Sequence, residues 1–318
     1  MSRLEMGRDN QRGFTLLNVL LALTVVILLG STTFVTIRQV FTDRELAVNR
    51  LALTRQTLQE VGGNFTATIA PYQALDMSTK WLRYGLVASG GDITLSGSPQ
   101  IKSESLPGQG HIYAAGDIHL TGSPVVDGDA TAAGRIIKSG SAVITGVGRE
   151  YFAWPLEFLT DQEITNLTQR YLVEAQAGGT FNGNKSFSGG TFDLGPLYIT
   201  GDLKVNSAKV RINGTVYVGG EVDMTGSASI EGAGSLVSTG SITMTGSGRL
   251  ALADIPLMIS VNGDVTSTGS NEIAAVVYAP RGKVKFTGTA NFYGAALGNQ
   301  IDIAGPTALV FTYPFTPR

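Results

Sequence analysis

The chain of 318 residues contains no cysteine and only two histidines. That absence removes disulfides, thiolate metal sites and thiol nucleophiles together, and it leaves His111 and His119 as the only imidazoles for acid–base or ligand chemistry. Charge is sparse as well. Asp, Glu, Lys and Arg make up 15%, and 23 basic against 25 acidic residues give a formal net charge of −2. No basic footprint points to nucleic acid. The sequence shows no Ser-His-Asp spacing, no phosphate-cradling loop before a helix and no His-x-x-x-His on a helix. No catalytic residue, metal or cofactor is therefore expected. What the chain has in excess is glycine, with 41 residues spread along its length, which points to many tight turns.

Charge is missing altogether from Gly13 to Ile37. Roughly 25 residues at about 1.5 Å of helix rise each reach about 37 Å, more than the ~30 Å hydrocarbon core of a bilayer. Beyond Arg38 the helical spacing continues through Phe41, Val48, Leu51 and Leu58, and Gly62-Gly63 supplies a stop. Residues 14–62 are expected to form a transmembrane and stalk helix. Arg3, Arg8 and Arg12 precede it, so the positive-inside bias makes residues 1–13 a cytoplasmic leader. The chain would cross the cytoplasmic membrane once, with everything after Arg38 exported to the periplasm or cell surface.

The junction Arg12-Gly13-Phe14-Thr15-Leu16 resembles the N-terminus of type IV prepilins and type II secretion pseudopilins. The resemblance implies a prepilin peptidase that cuts after Gly13 and methylation of Phe14. It also implies packing against other pilin-like subunits through a helix surface that includes Phe14, Asn18, Leu20 and Leu21. Major pilins usually carry glutamate where this chain has Asn18. An amide can accept a hydrogen bond from a neighbour's terminal amine but brings no charge to it, which turns the resemblance towards a minor subunit. A plain signal anchor is the alternative reading of the same stretch.

Residues 63–90, with Pro71, Trp81 and Tyr84, read as a connector. After them the sequence becomes repetitive: Gly91-Asp-Ile-Thr-Leu-Ser-Gly-Ser, Gly116-Asp-Ile-His-Leu-Thr-Gly-Ser, a degenerate Gly140-Ser-Ala-Val-Ile-Thr-Gly, then copies beginning at Gly201, Gly220, Gly240, Gly263 and Gly282. Within a copy, apolar residues such as Val222 and Met224 alternate with Asp223 and Thr225, the pattern of a strand buried on one face, and Thr-Gly-Ser then turns a corner. A unit of about twenty residues cannot bury its own apolar side, whereas stacked coils can. The expected fold is mainly β: a single-stranded β-solenoid of ~20-residue coils, with a long N-terminal transmembrane α-helix and a short helical insertion. An antiparallel sandwich or a propeller would need turn signals at other intervals. The expected blocks are 91–148, a first solenoid block, and 196–318, a second block with a C-terminal cap around Phe311-Thr-Tyr-Pro-Phe315.

Residues 149–195 break the period. Tyr151, Phe152 and Trp154 stand together before Pro155, and Thr160 with Glu163 has the spacing of a capping box before a helix carrying Ile164, Leu167 and Tyr171 on one face. The insertion is either a lid over an apolar edge of the solenoid or a recognition surface presenting those three aromatics. The aromatic-Pro stretch, Gly195-Pro-Leu-Tyr-Ile-Thr-Gly-Asp, Val276-Val-Tyr-Ala-Pro-Arg-Gly and Asn291-Phe-Tyr-Gly-Ala-Ala are together similar to the solenoid domain of PilX-like pilus assembly proteins.

Asp92, Asp117, Asp202 and Asp264 each follow a turn glycine, where aspartate commonly bonds local backbone, and Asp127-Gly128-Asp129 is only half of a calcium loop. The chain is accordingly expected to be not an enzyme but a minor pilin-like subunit of a pilus or pseudopilus, with a solenoid head for assembly or adhesion. Any surface or glycan ligand of that head is unnamed by the sequence. A tethered solenoid adhesin outside any filament is the alternative, and a glycan-active β-helix enzyme is a third.

Overall fold

The computed structural model describes residues 84–103, 108–153, 158–253, 257–306 and 308–311. The expected leader and helix 14–62 lie outside these residues, and so do Gly13, Phe14, Asn18, Leu20, Leu21 and Trp154. Among the described residues no helix is long and apolar enough to cross a membrane.

The described residues form a β-solenoid. A representative coil has three strands, Val216–Val218, Val222–Gly226 and Ser229–Ala233, lying on three faces called here a, b and c. Coils stack through parallel pairing with identical positions in register: Val222 lies against Ile242, Met224 against Met244 and Gly226 against Gly246. The c face alone carries ten strands, one for each of ten coils among the described residues. Val222 and Met224 point inward and are buried, and the same holds for their equivalents Ile242 and Met244. The alternation read from the sequence is therefore the inside–outside alternation of face b.

The order of stacking is not the order of the chain. Coil 1 is built from 180–194, and coils 2 to 7 follow through residues 197–311. Coil 8 is then residues 84–103, and coils 9 and 10 are 111–126 and 130–144. The joint between coils 7 and 8 pairs Leu297 with Val87, Ile301 with Ile93 and Leu309 with Ile101. A half-turn, Gly148–Arg149, lies on Ala130 and Thr131 beyond coil 10.

Three expectations are corrected by this arrangement. The interruption shrinks, because Thr180–Phe181, Lys185–Ser188 and Thr191–Leu194 are the strands of coil 1 rather than part of an insertion 149–195. The connector ends earlier, since Tyr84–Ala88 is a strand of coil 8. Phe311, the one residue of the expected cap 311–315 that is among the described residues, lies on a strand inside the stack, between the c strands of coils 6 and 8. The physical reason is common to all three. Every parallel edge offers the next coil the same ladder of N–H and C=O groups, so periodicity reports the unit but not its neighbour.

The return along the stack is made by helix α1, Asp161–Gly178. Its start is the capping box expected from the sequence: Thr160 Oγ1 accepts from the Glu163 backbone N–H at 3.3 Å, and the Glu163 carboxylate accepts from the Thr160 N–H at 2.8 Å. Ile164, Leu167, Tyr171 and Ala175 form one buried stripe along it. They pack on Tyr217, Val237, Ile259 and Tyr278, the outward residues of face a in successive coils. Eighteen residues give about 27 Å of helix, or five to six coil spacings of ~4.8 Å. Arg281 of coil 6 donates to Asp161 at the helix start at 2.7 Å, and Thr215 at the start of coil 3 donates to Glu174 at 2.9 Å. Face a is thus buried on both sides, which is why Val216-Tyr217-Val218 and Leu257-Met258-Ile259 read as unbroken apolar runs rather than alternations. Burial pushes the phenols of Tyr171, Tyr217 and Tyr278 above their ordinary range.

The Thr-Gly-Ser corners stack in a column, and there a positive φ is required. Gly226, Gly246 and Gly269 have φ of 70°, 112° and 111°. Coil 2 has Ser207 at this corner with φ 46°. A side chain in that region of backbone space costs about 1 kcal/mol or more. Ser207→Gly is expected to raise stability by about 1 kcal/mol, read as a higher urea midpoint at unchanged slope; a lowered midpoint would refute the assignment of strain.

Candidate functional site

The three faces differ in what covers them. Face a lies under α1. Face c is knitted by ion pairs between successive coils: Arg211 to Asp193 at 3.9 Å, Lys209 to Glu231 at 2.6 Å, and Arg249 to Glu231 at 3.6 Å and to Glu272 at 3.3 Å. These charges sit on outward positions one coil apart, so the ladder checks the register of five coils. The hydrogen bond from Lys209 holds the Glu231 carboxyl below the ordinary glutamate range against an opposing push from burial. Its folded-state pKa lies below its unfolded one, so its contribution is present above the unfolded value and is lost as pH falls through the folded value. Thermal stability is expected to drop on acidification below about pH 4.5, and Glu231→Gln should flatten part of that slope. A slope unchanged in the variant would remove Glu231 from the acid response.

Face b is the open one. Its outward side chains form two columns running the length of the stack. One column, in spatial order, is Ser188, Asn206, Thr225, Thr245, Thr268, Thr287, Ala304, Ser96, Thr121 and Ser139. The other includes Lys204, Asp223, Thr243, Thr266, Lys285, Asp302, Thr94 and His119. These side chains are exposed or half-buried. Successive members are about 4.8 Å apart, so face b presents a nearly uninterrupted row of hydroxyl and amide groups at one fixed repeat. Such a surface can hydrogen-bond to an extended or periodic partner.

The aspartates that follow the turn glycines have a definite task. Asp92 Oδ1 accepts from the Asp117 N–H at 2.7 Å, Asp117 Oδ1 from Arg135 N–H at 2.7 Å, Asp202 Oδ1 from Glu221 N–H at 3.0 Å and Asp264 Oδ1 from Lys283 N–H at 2.7 Å. Each carboxylate binds the backbone of the next coil, not its own turn as expected. Asp129 does the same for Val147 and also binds Arg149 at 2.8 Å. Burial works to raise the Asp129 carboxyl, and those two donors with His111 outweigh it and bring it below the ordinary range. His111 Nδ1 accepts from the Asp129 N–H at 2.9 Å, so this ring bridges two coils, whereas His119 stands half-exposed on face b, 3.9 Å from Asp92. Among the described residues no group of three or more His, Asp or Glu could hold a metal.

The helix and the aromatics of the insertion lie in different places. Its helix is the lid. Tyr151 and Phe152 stand out at the coil 10 end, 73% and 41% exposed, although their backbone is pinned by Tyr151 N–H to Gly134 O at 2.7 Å and Phe152 N–H to Ala132 O at 3.0 Å. Tyr151 holds a positive φ of 53°. Ile137, Val143 and Val147 of the same end are also exposed. Sequence reasoning singled out the aromatics but not this apolar end, nor the columns of face b; the signal for the columns was the repeated Thr-Gly after each inward pair.

Residues 158–314 match a domain of unknown function, DUF7305. The DUF7305 stretch opens on the segment leading into α1 and takes in coils 1 to 7, so coils 8 to 10 precede it in the chain and follow it in the stack. Among solved structures, an ice binding protein from an Antarctic Biological Consortium is similar at 13% identity and a TM-score of 0.40, covering 72% of this chain and 87% of that one. The ice-binding protein_1 DUF3494 domain of Shewanella frigidimarina is similar at 13% identity and a TM-score of 0.26, covering 72% and 94%. No curated protein sequence matches.

Proposed function

We propose that the chain is a membrane-anchored, exported minor pilin-like subunit whose β-solenoid is a head for assembly or adhesion, with face b as the surface it offers. The observation that carries this reading is Gly13-Phe14-Thr15-Leu16 between a basic leader and an uncharged run to Ile37. The partners it implies are a prepilin peptidase, other pilin-like subunits along the N-terminal helix, and the membrane. Face b supports the second half of the reading: it is open and polar, and it repeats at a fixed interval, while the charged carboxylates around it are committed to backbone N–H groups. The head works by display and packing, with no turnover.

The deciding experiment is the mass of the mature N-terminus in wild type and in Gly13→Glu. Wild type should lose residues 1–13 and gain one methyl group on Phe14, and the variant should keep its leader. Identical, unprocessed termini in both would end the pilin reading and leave a signal anchor. Asn18 favours one further reading, a tethered adhesin that is processed but never enters a filament. Its mark would be correct processing with absence from sheared filaments.

A further inference from the structure

A parallel stack has two open edges, and each would ordinarily accept another coil. In this solenoid the two terminal coils share a departure that no interior coil has. Inward positions of face b are filled along the stack by buried Leu, Ile, Val, Met and Phe, with Ser267 the single interior exception. At coil 10 the residue in register with buried Leu120 is Lys138, which is exposed. At coil 1 the residue in register with buried Leu203 is Lys185. Its stem lies over the rings that close this end, with Nζ 4.2 Å from the centre of Phe181 and 5.4 Å from that of Phe187, and Phe187 stacks at 4.8 Å on Phe192. Beyond coil 10 the half-turn Gly148–Arg149 already occupies face a and the Glu150 carboxylate accepts from the Ile136 N–H at 2.7 Å at the start of face b, so the rest of faces b and c is the remaining route for a further coil.

We propose that Lys138 and Lys185 close the two ends of the solenoid to a second copy of this chain, so that heads do not join coaxially and contacts between them are lateral. Continuing the register from coil 10 of one copy into coil 1 of the next would set Ile136 against Lys185 and Lys138 against Phe187. Both ammonium groups would then sit inside the apolar column, about 7–8 Å apart on a diagonal, with no acceptor. A solvated lysine at an inward position of an edge coil therefore acts against addition while leaving the coil it belongs to undisturbed. The proposal rests on the stack alone and stands apart from the pilin reading.

The test is made on the full-length chain in detergent, by light scattering for mass and by negative-stain microscopy for rod length, which is about 48 Å for ten coils. Wild type and Lys204→Leu, an outward position of face b, should give single-length rods. Lys138→Ile with Lys185→Leu should raise the fraction of double-length rods at least about tenfold at equal concentration. Lys185→Glu alone keeps a solvated charge at coil 1 and should also join heads, through the Lys138 of the next copy, in a salt-reversible way. Double-length rods in wild type would overturn the proposal. So would single-length rods in Lys185→Glu at low salt, or in a double variant that melts at the wild-type temperature.

Discussion

Gly246→Ala should cost the solenoid about 3 kcal/mol or more, a large share of the roughly 5–15 kcal/mol that holds an ordinary domain together. A Cβ at this corner would lie 2.4 Å from the carbonyl oxygen of Gly226 in the coil below, and φ is +112°. Neither term can relax locally, because the offending atom is backbone that is itself held in the column. Two controls separate the terms. Gly108 also has a positive φ, +81°, but nothing within 4 Å of a built Cβ, so Gly108→Ala should lose only about 1 kcal/mol. At Gly195 the nearest atom is a side-chain oxygen 3.4 Å away, and alanine there should stay within about 0.5 kcal/mol of wild type. Urea midpoints of the three variants check the order. Equal midpoints for Gly246→Ala and Gly195→Ala would mean that the corners of successive coils are not in contact.

The second large effect concerns folding rate. The Ser89 hydroxyl donates to Gly298 O across 209 residues of chain, at the joint between coils 7 and 8. No other pair of neighbouring coils is so far apart in sequence. Strand Ala308–Phe311 ends where coil 8 would naturally begin, just as Ala233 is followed by Leu236 at the next face a. A permuted chain that joins 311 to 84 through two added residues, with new termini at 153 and 158, should keep the same ladders and make every one of them local. Closing a short loop in place of one of some 200 residues removes the slowest search, and refolding followed by stopped-flow circular dichroism is expected to quicken by about tenfold or more. An unchanged refolding rate would show that the joint forms after the rate-limiting step.

The repeating coil was legible because its causes are local: Val222 and Met224 alternate with polar neighbours, and the Thr-Gly corner recurs. The helix start was legible for the same reason, since Thr160 and Glu163 are three residues apart and satisfy each other. The permuted order was not, because one parallel edge looks like another. One alignment also slipped. Gly140 opens the degenerate copy in the sequence, yet it pairs with Gly122 and is the corner of coil 10, leaving Val143–Ile144 on face c. The misfit that hid this is Lys138, a charge where the pattern calls for an aliphatic residue. Face b became visible as a surface only once register placed Thr225, Thr245, Thr268 and Thr287 in one line, and Gly13 and Phe14, where processing is proposed, lie outside the described residues.

Coil 8 is where the chain coming from the N-terminus joins the stack, and its first strand is paired on both sides, with Ala296–Gly298 and with Ile112–Ala114. A solenoid tethered at its end coil can be peeled under tension, one ladder at a time. Here a pull at Tyr84 acts on a strand paired on both sides, so two ladders must give way where an end coil would lose one. Force applied there would fall on an interior coil, the third from the coil 10 end, and not on a coil with a free edge.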